Sequence, residues 1–269
     1  MRRLKLLIEY DGSGFSGWQV QPGQNTVQET LEQALGEVLG ENPRIHGAGR
    51  TDAGVHALGQ VAHFDTSSPL PVRAVRAETN RRLPETVSLR TVEDIDPGFH
   101  SRYDATGKLY RYLARTGPRR SPYWAGRAGW CGPVELDPMR RAAGHLVGTH
   151  DFSAFAAAGR PVADPVRTVS FLKLSSADRE LLTIDIQADG FLYRMVRNIV
   201  GTLFEVGRGS ISPERLARIL ASRERSQAGP TAPPEGLCLL RVFYGSEADQ
   251  TGKANYGCRG GELSASFPA

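Results

Sequence analysis

The segment GAGRTDAGVH, residues 47–56, places a single carboxylate in a glycine-rich turn, with Asp52 lying between Arg50 and His56. An aspartate in such a turn can cap local backbone N–H groups, or it can act as a nucleophile or a base. A metal site on Asp52 and His56 would need further acids or histidines, which no spacing in the chain favours. The usual phosphate-binding loop is excluded, because no Gly-Lys-Ser/Thr follows the glycines. The glycines would allow a bulky partner to approach the backbone closely.

Arg197 is the second residue that could take part in chemistry. It lies in FLYRMVRNIVGTLFEV, residues 191–206, whose apolar residues surround it on several sides and predict a largely buried helix. A buried guanidinium is costly unless a carboxylate pairs with it. Its partner is therefore either a structural acid elsewhere in the chain or Asp52, which Arg197 would then keep ionised.

Tyr110 is the third candidate. In the strand-like KLYRYLART, Tyr110 and Tyr112 share one face and Arg111 lies on the other. Strand aromatics usually belong to the core, but a ring bordering a cleft could stack on a base, and its hydroxyl could transfer a proton. Arg102, Lys108 and Arg111 form a basic cluster with aromatics such as Tyr103 interleaved, a pattern that suits phosphate contacts with stacking or a solvated face.

The elements that must position these residues follow from hydrophobic periodicity and capping signals. The pattern predicts a capping box at Thr26 and Glu29, an N-cap at Ser212, and Pro138 at the start of a helix. Predicted strands cover residues 4–10, 57–65, 108–116 and 237–245; a further strand begins at residue 88, and a hairpin lies within 168–190. Predicted helices cover residues 25–40, 137–148, 191–209 and 212–222.

Strands joined by both hairpins and helices indicate an α+β fold with largely antiparallel sheets. A weak internal similarity, between LLIEYDGSGF and LTIDIQADGF, suggests two halves of similar structure. We therefore expect two similar domains, 1–104 and 105–245, each a mainly antiparallel sheet with helices on one face, and an active cleft between them. Residues 246–269 are small and polar, and are expected to form a disordered tail.

Composition narrows the class of protein. The 269-residue chain carries a net charge of +4, which permits a polyanion such as nucleic acid without requiring one. Its three cysteines, Cys131, Cys238 and Cys258, are odd in number and far apart, so a reducing cytoplasm is expected rather than a disulfide framework or a zinc site. No apolar run approaches the roughly 18–20 residues that cross a bilayer, so no membrane partner is expected.

Several motifs together resemble one known family. AGRTDAGVHALGQVAHF is similar to the signature loop of the tRNA pseudouridine synthase A family. IEYDGSGFSGWQVQ, FHSRYDATGKLYRY, GTHDFSAF, VRNIVGTLFEVG and TAPPEGLCL follow in that family's order, so the resemblance covers residues 3–245. The segment ETNRRLP departs from the family's usual stretch, and residues 246–269 have no counterpart in it.

The resemblance implies isomerisation of uridine to pseudouridine in the anticodon stem-loop of tRNA, at tRNA positions 38–40, with no cofactor and no metal. Asp52 matches the family's nucleophile, Tyr110 the tyrosine that stacks on the uracil, and Arg197 the basic partner of the aspartate. Arg50 matches the arginine that fills the space of the flipped nucleotide, and Leu237 an apolar wall of the pocket. Whether Asp52 attacks C1′ or C6, or a glycal forms, stays open.

The resemblance also implies a homodimer whose two clefts cradle tRNA. Two other functions remain as alternatives. A noncatalytic RNA-binding protein would explain the basic and aromatic content but not the joint presence of Asp52, Tyr110 and Arg197. A metal-dependent hydrolase would use Asp52 and His56.

Overall fold

A computed structural model describes residues 1–157, 163–178 and 180–245 of the chain. The expected disordered tail, 246–269, lies outside the described residues. The strands are β1 (Arg2–Tyr10), β2 (His46–Gly47), β3 (His56–Thr66), β4 (Val87–Ile95), β5 (Ala105–Arg115), β6 (Gly129–Trp130), β7 (Gly148–Asp151), β8 (Val166–Asp178), β9 (Leu181–Ala188) and β10 (Leu237–Tyr244). The helices are α1 (Val27–Leu39), α2 (Val72–Asn80), α3 (Leu136–Gly144), α4 (Met195–Gly207) and α5 (Pro213–Ser222).

The strands form one sheet in the order β4-β1-β3-β10-β5-β9-β8-β7, with β2 added on β3 and β6 on β5. Along this path every neighbouring pair is antiparallel except β3 and β10. The predicted α+β class with mainly antiparallel pairing is confirmed. The strands of the two predicted halves are hydrogen-bonded into a continuous sheet, because the final strand, β10, lies between β3 and β5. The proposed division at residue 104 stays a prediction.

The parallel junction of β3 and β10 decides which segments meet. Cys238 lies beside His56 and Leu239 beside Ala57, so the two strands begin at the same end of the sheet. The segments that lead into them, 48–55 and 234–236, are therefore neighbours although they are far apart in the chain. We refer to residues 48–55 as the Asp52 loop.

A single hydrophobic cluster crosses the junction. It includes Leu4 and Ile8 of β1, Leu35 of α1, and Leu203 of α4, all of them fully buried. Because the core is shared, the Asp52 loop and α4 are held against the same packed interior. No helix within the described part of the chain is long and apolar enough to cross a membrane.

Some local predictions are confirmed. The hydroxyl of Ser212 accepts a hydrogen bond from the backbone N–H of Arg215 at 3.2 Å, and Pro213 is the first residue of α5. The hairpin is β8 paired antiparallel with β9. The final strand is β10.

The capping box at α1 is wrong. Thr26 is the N-cap residue, but its hydroxyl caps no backbone N–H and is buried without a hydrogen-bond partner. Backbone carbonyls of the preceding loop replace it: Val27 N–H donates to Gly17 O at 3.2 Å and Gln28 N–H to Trp18 O at 3.0 Å. Tertiary contacts thus satisfy donors that a side chain satisfies in an isolated helix.

The sequence pattern misplaced the start of one helix and did not predict another. Helix α4 begins at Met195 rather than at Phe191, because Arg194 adopts a left-handed backbone (φ 61°) that no helical residue can have. Helix α2 was not predicted. It has only nine residues and buries only Val75 and Thr79.

Candidate active site

A cavity of about 520 Å³ opens beside the β3–β10 junction. All five residues singled out from the sequence line it: Arg50, Asp52, Tyr110, Arg197 and Leu237. They come from four different elements, namely the Asp52 loop, β5, α4 and the first residue of β10. The fold therefore brings the candidates together, while their individual roles stay predictions.

Asp52 and Arg197 form an ion pair across 145 positions of sequence. Arg197 Nη1 donates to Asp52 Oδ2 at 2.6 Å, and Arg197 Nε donates to the carbonyl of Ala232 at 2.8 Å. Only 12% of the Arg197 side chain and 18% of the Asp52 side chain are exposed. Of the two partners that the sequence left open for Arg197, the structure selects Asp52, and the second hydrogen bond fixes the guanidinium plane.

The other carboxylate oxygen of Asp52 is free. Within the described residues, Oδ1 has no hydrogen-bond partner, and it is not among the fully buried unpartnered atoms. The carboxylate caps no backbone N–H of the turn; the hydrogen bond inside the loop runs from Val55 N–H to the backbone carbonyl of Asp52 at 3.1 Å. An oxygen with free lone pairs at the cavity wall suits a nucleophile or a base.

The glycines of this region serve packing inside the protein. A Cβ on Gly47 would lie 2.7 Å from the ring of Trp18, and one on Gly17 (φ 94°) would lie 2.7 Å from the carbonyl oxygen of Thr51. The Trp18 N–H donates to that same carbonyl at 3.1 Å. The small residues therefore let the Asp52 loop dock on the segment after β1, which holds the carboxylate in place.

His56 ties three segments together. The Gly12 N–H donates to its Nδ1 at 3.1 Å, which places the ring proton on Nε2, and Nε2 donates to the carbonyl of Glu235 at 3.2 Å. Asp11 Oδ1 lies 3.2 Å from Nδ1. Because both ring nitrogens have partners, His56 is a positioning residue in this structure, which disfavours the metal-hydrolase alternative. Among the described residues, no group of three His, Cys, Asp or Glu side chains is arranged to hold a metal ion.

Tyr110 is 8% exposed, and its ring meets Phe191 edge-on, with 5.2 Å between the centroids. Burial raises the pKa of its hydroxyl well above the usual range, and neighbouring Tyr10 and Asp52 add to that rise, so the phenol is protonated at neutral pH. Within the described chain this hydroxyl has no hydrogen-bond partner, whereas Tyr112, on the same strand, donates to the carbonyl of Pro233 at 3.0 Å.

Two cavity residues, Arg194 and Phe191, were missed by the sequence analysis. Arg194 Nε lies 3.9 Å from Asp52 Oδ2, and Phe191 packs on Tyr110. Lys108 is half-buried with its pKa lowered by burial, and its Cε would lie 3.3 Å from a Cβ placed on Gly49. The spacing of Arg194, three residues before Arg197, was the one available signal that both could face the same site. The left-handed backbone at Arg194 has no signature in the sequence.

Comparisons with known proteins agree with the arrangement. A family model described as tRNA pseudouridine synthase matches residues 6–104 and 142–245. The chain is 46% identical over 249 residues to tRNA pseudouridine synthase A of Geobacter sulfurreducens, covering 91% of this chain and 100% of that protein. It is 46% identical over 247 residues to the enzyme of the same name from Brevibacillus brevis, again covering 91% of this chain and 100% of the relative.

Proposed function

The chain belongs to the tRNA pseudouridine synthase family and so isomerises uridine in tRNA, and we propose that it acts in the anticodon stem-loop with Asp52 as its nucleophile. The observation that carries this proposal is the Asp52–Arg197 pair of 2.6 Å at the cavity wall, with Asp52 Oδ1 unpartnered within the described residues. A charged partner on one oxygen holds the carboxylate while the other oxygen stays available to the substrate.

The target base must first leave the stem, because no side chain reaches C1′ or C6 of a stacked, paired uridine. Extrusion costs a few kcal/mol, which contacts in the cavity offset. We assign the vacated space in the RNA to Arg50, whose side chain is exposed and has no ion-pair or hydrogen-bond partner within the described residues. Tyr110 would stack on the flipped uracil, and Leu237, 6% exposed, would supply an apolar wall.

The reaction balances without a cofactor. The N1–C1′ bond breaks, a C5–C1′ bond forms, the proton on C5 is released, and N1 takes up a proton. Asp52 can add to C1′ and displace uracil, add to C6, or remove a proton on the way to a glycal, and each route requires an accessible carboxylate oxygen. The Tyr110 hydroxyl keeps its proton at neutral pH, because burial raises its pKa, so it can donate a hydrogen bond to the flipped base.

Release of tritium from tRNA labelled at C5 of uridine tests the activity, and mapping of pseudouridine after the reaction tests the anticodon stem-loop assignment. Wild-type protein that binds tRNA but releases no tritium would favour the noncatalytic alternative. Asp52→Ala should lose turnover and keep tRNA binding, whereas undiminished turnover would remove Asp52 from the nucleophile role.

We also propose a cytoplasmic homodimer that needs no metal. The two cysteines within the described residues, Cys131 and Cys238, are free and buried, which suits a reducing compartment. The dimer rests on the family resemblance. Light scattering of the purified protein should give twice the mass of one 29.3 kDa chain, and a mass of one chain would contradict it. Activity should persist in a strong chelator, and loss that added metal restores would revive the metal alternative.

A further inference from the structure

Four aromatic rings contact one another in a row, and three of them line the cavity. Tyr103 lies on His100 with 4.2 Å between centroids and 29° between planes; His100 meets His63 edge-on at 4.7 Å; and His63 stacks on His46 at 5.2 Å. We call these four residues the histidine stack. Tyr103, His100 and His46 line the same cavity as Asp52, so the stack and the reaction site share one continuous surface.

The stack is rigid because backbone groups hold two of its rings. His100 Nδ1 accepts the N–H groups of Arg102 and Tyr103, each at 3.2 Å, so the loop that carries Tyr103 also fixes the ring beneath it. His63 Nδ1 accepts the Ser101 N–H at 3.1 Å. Such a surface loses little conformational entropy when a flat ligand binds to it.

The two central rings of the stack, His63 and His100, have lowered pKa values. Burial, followed by the neighbouring charges of His100 and Arg3, lowers the pKa of His63 to about 4. Burial also lowers the pKa of His100. Both rings are therefore uncharged at neutral pH, which suits stacking on a nucleobase.

Tyr103 is conspicuous because 78% of it is exposed although it is a large aromatic residue on an ordered loop. One face of its ring is covered by His100 and the other is open. Two arginines line the same cavity: Arg102 is exposed, and 64% of the Arg44 side chain is exposed although it pairs with Glu32 at 3.6 Å. An exposed ring and arginines on one surface suit a single-stranded nucleic acid, the ring stacking on a base and the arginines contacting phosphates.

We propose that the histidine stack is a second base-binding subsite, in which Tyr103, backed by His100, stacks on an unpaired nucleobase of the substrate RNA other than the reacting uridine. This inference rests on the proposed function, because its ligand is the same RNA whose uridine enters the cavity near Asp52. The subsite fixes the RNA at a second point and so sets which uridine reaches the nucleophile.

The test compares Tyr103→Ala, Tyr103→Phe and a matched control, Tyr123→Ala, in the full-length chain. Tyr123 is also largely exposed, at 72%, but does not line the cavity. We expect Tyr103→Ala to weaken the Kd for unmodified tRNA by about 5- to 150-fold, the range of one base–aromatic stack, with the loss carried by KM rather than kcat. Tyr103→Phe should restore the affinity, because the phenyl ring stacks equally well.

Three results would overturn the proposal: unchanged affinity in Tyr103→Ala, an equal loss in Tyr103→Ala and Tyr103→Phe, or an equal loss in Tyr123→Ala. Ultraviolet cross-linking of tRNA to the wild-type protein gives an independent readout. A cross-linked nucleotide on the peptide that carries Tyr103 supports the subsite, and a map with no cross-link there counts against it.

The outcomes separate this inference from the proposed function. Wild-type protein that releases tritium while Tyr103→Ala binds normally removes the subsite and leaves the enzyme intact. Wild-type protein that releases none while its tRNA affinity depends on the Tyr103 ring removes the proposed reaction and leaves the subsite.

Discussion

Two arginine–aspartate pairs of nearly equal burial differ in how many hydrogen bonds the carboxylate accepts. Arg111 and Asp185 lie directly opposite each other on β5 and β9 and make two hydrogen bonds, at 2.7 and 2.8 Å. The Asp52–Arg197 pair makes a single hydrogen bond, at 2.6 Å, between a loop and a helix. The exposed side-chain fractions are 17% and 14% in the first pair, and 12% and 18% for Arg197 and Asp52.

Burial therefore does not distinguish the strand pair from the pair that we propose to take part in the reaction. The difference lies in how many carboxylate lone pairs the protein itself occupies. In the strand pair both oxygens of Asp185 accept from Arg111, so the bond can only join two strands. In the cavity pair one oxygen of Asp52 stays open, because its guanidinium partner is also bound to the carbonyl of Ala232.

Two tyrosines of β5 differ in the same way, because the hydroxyl of one has a partner within the described protein and that of the other has none. The Tyr112 hydroxyl is bonded to a backbone carbonyl and its ring is fully buried. The Tyr110 hydroxyl has no such partner within the described residues, and its ring borders the cavity. A polar group left unpaired near a cavity has a cost that a substrate contact can offset.

The largest expected effect comes from exchanging the two aspartates. Asp52→Asn should lower kcat at least about a thousandfold, because the amide cannot act as a nucleophile or a base, and should also cost about 1–3 kcal/mol of stability, because Arg197 loses its counter-ion. Asp185→Asn should cost a similar amount, about 1–3 kcal/mol of stability, but keep its turnover per folded molecule. Tritium release and urea unfolding measure the two. Comparable turnover in both variants would show that Asp52 and Asp185 do not differ in their role in the reaction.

The arginines should give a smaller contrast of the same kind. Arg197→Met should lower kcat about a hundredfold and cost about 1–3 kcal/mol, since it leaves a partly exposed carboxylate without its counter-ion. Arg111→Met should cost stability alone. The same assays on both proteins decide, and a stable, fully active Arg197→Met protein would show that the ion pair is dispensable.

The tyrosines sharpen the comparison further. Tyr110→Phe keeps the ring and removes the hydroxyl, so kcat should fall about tenfold or more if the phenol moves a proton, with tRNA affinity retained. Tyr112→Phe should cost about 1 kcal/mol of stability through its lost hydrogen bond and leave kcat unchanged. Steady-state kinetics and thermal unfolding provide the readouts. Equal kcat values for Tyr110→Phe and wild type would limit Tyr110 to stacking.

The smallest effect concerns His63, a buried base that makes no ion pair within the described residues. Its pKa is lowered to about 4 by burial, then by His100, Arg3 and His46, while Asp65 opposes the shift weakly. The unfolded chain, with an ordinary histidine pKa of 6.5, takes up the proton first as pH falls. Stability is thus present above about pH 6.5 and is lost progressively down to about pH 4.

Between pH 7 and 5.5 this linkage amounts to about 1 kcal/mol. Urea unfolding at both pH values measures it. His63→Asn, which retains an acceptor for the Ser101 N–H, should show a shallower pH dependence over the same range. A slope identical to that of wild type would assign the dependence to other groups.

Local features were predictable where neighbouring residues decide them. The Ser212 cap, the β8–β9 hairpin and the final strand follow from spacing within a few residues, as does the alternation that places Tyr110 and Tyr112 on one face. The capping box at Thr26 and the start of α4 at Phe191 were wrong, because residue spacing does not show backbone geometry. Carbonyls of the loop that precedes α1 replace the cap, and the left-handed backbone at Arg194 delays the start of α4.

The sequence by itself determined which residue types were available for chemistry: a carboxylate in a glycine-rich turn, an arginine in an apolar helix and a tyrosine in a strand. Only the tertiary structure decided that Arg197 pairs with Asp52, that the carboxylate keeps one free oxygen, and that Gly47 packs against Trp18. Spacing patterns report neighbours within a turn or two, whereas these partners depend on strand order. With β10 parallel to β3, Asp52 and Arg197 meet at one cavity although they are 145 positions apart in the chain.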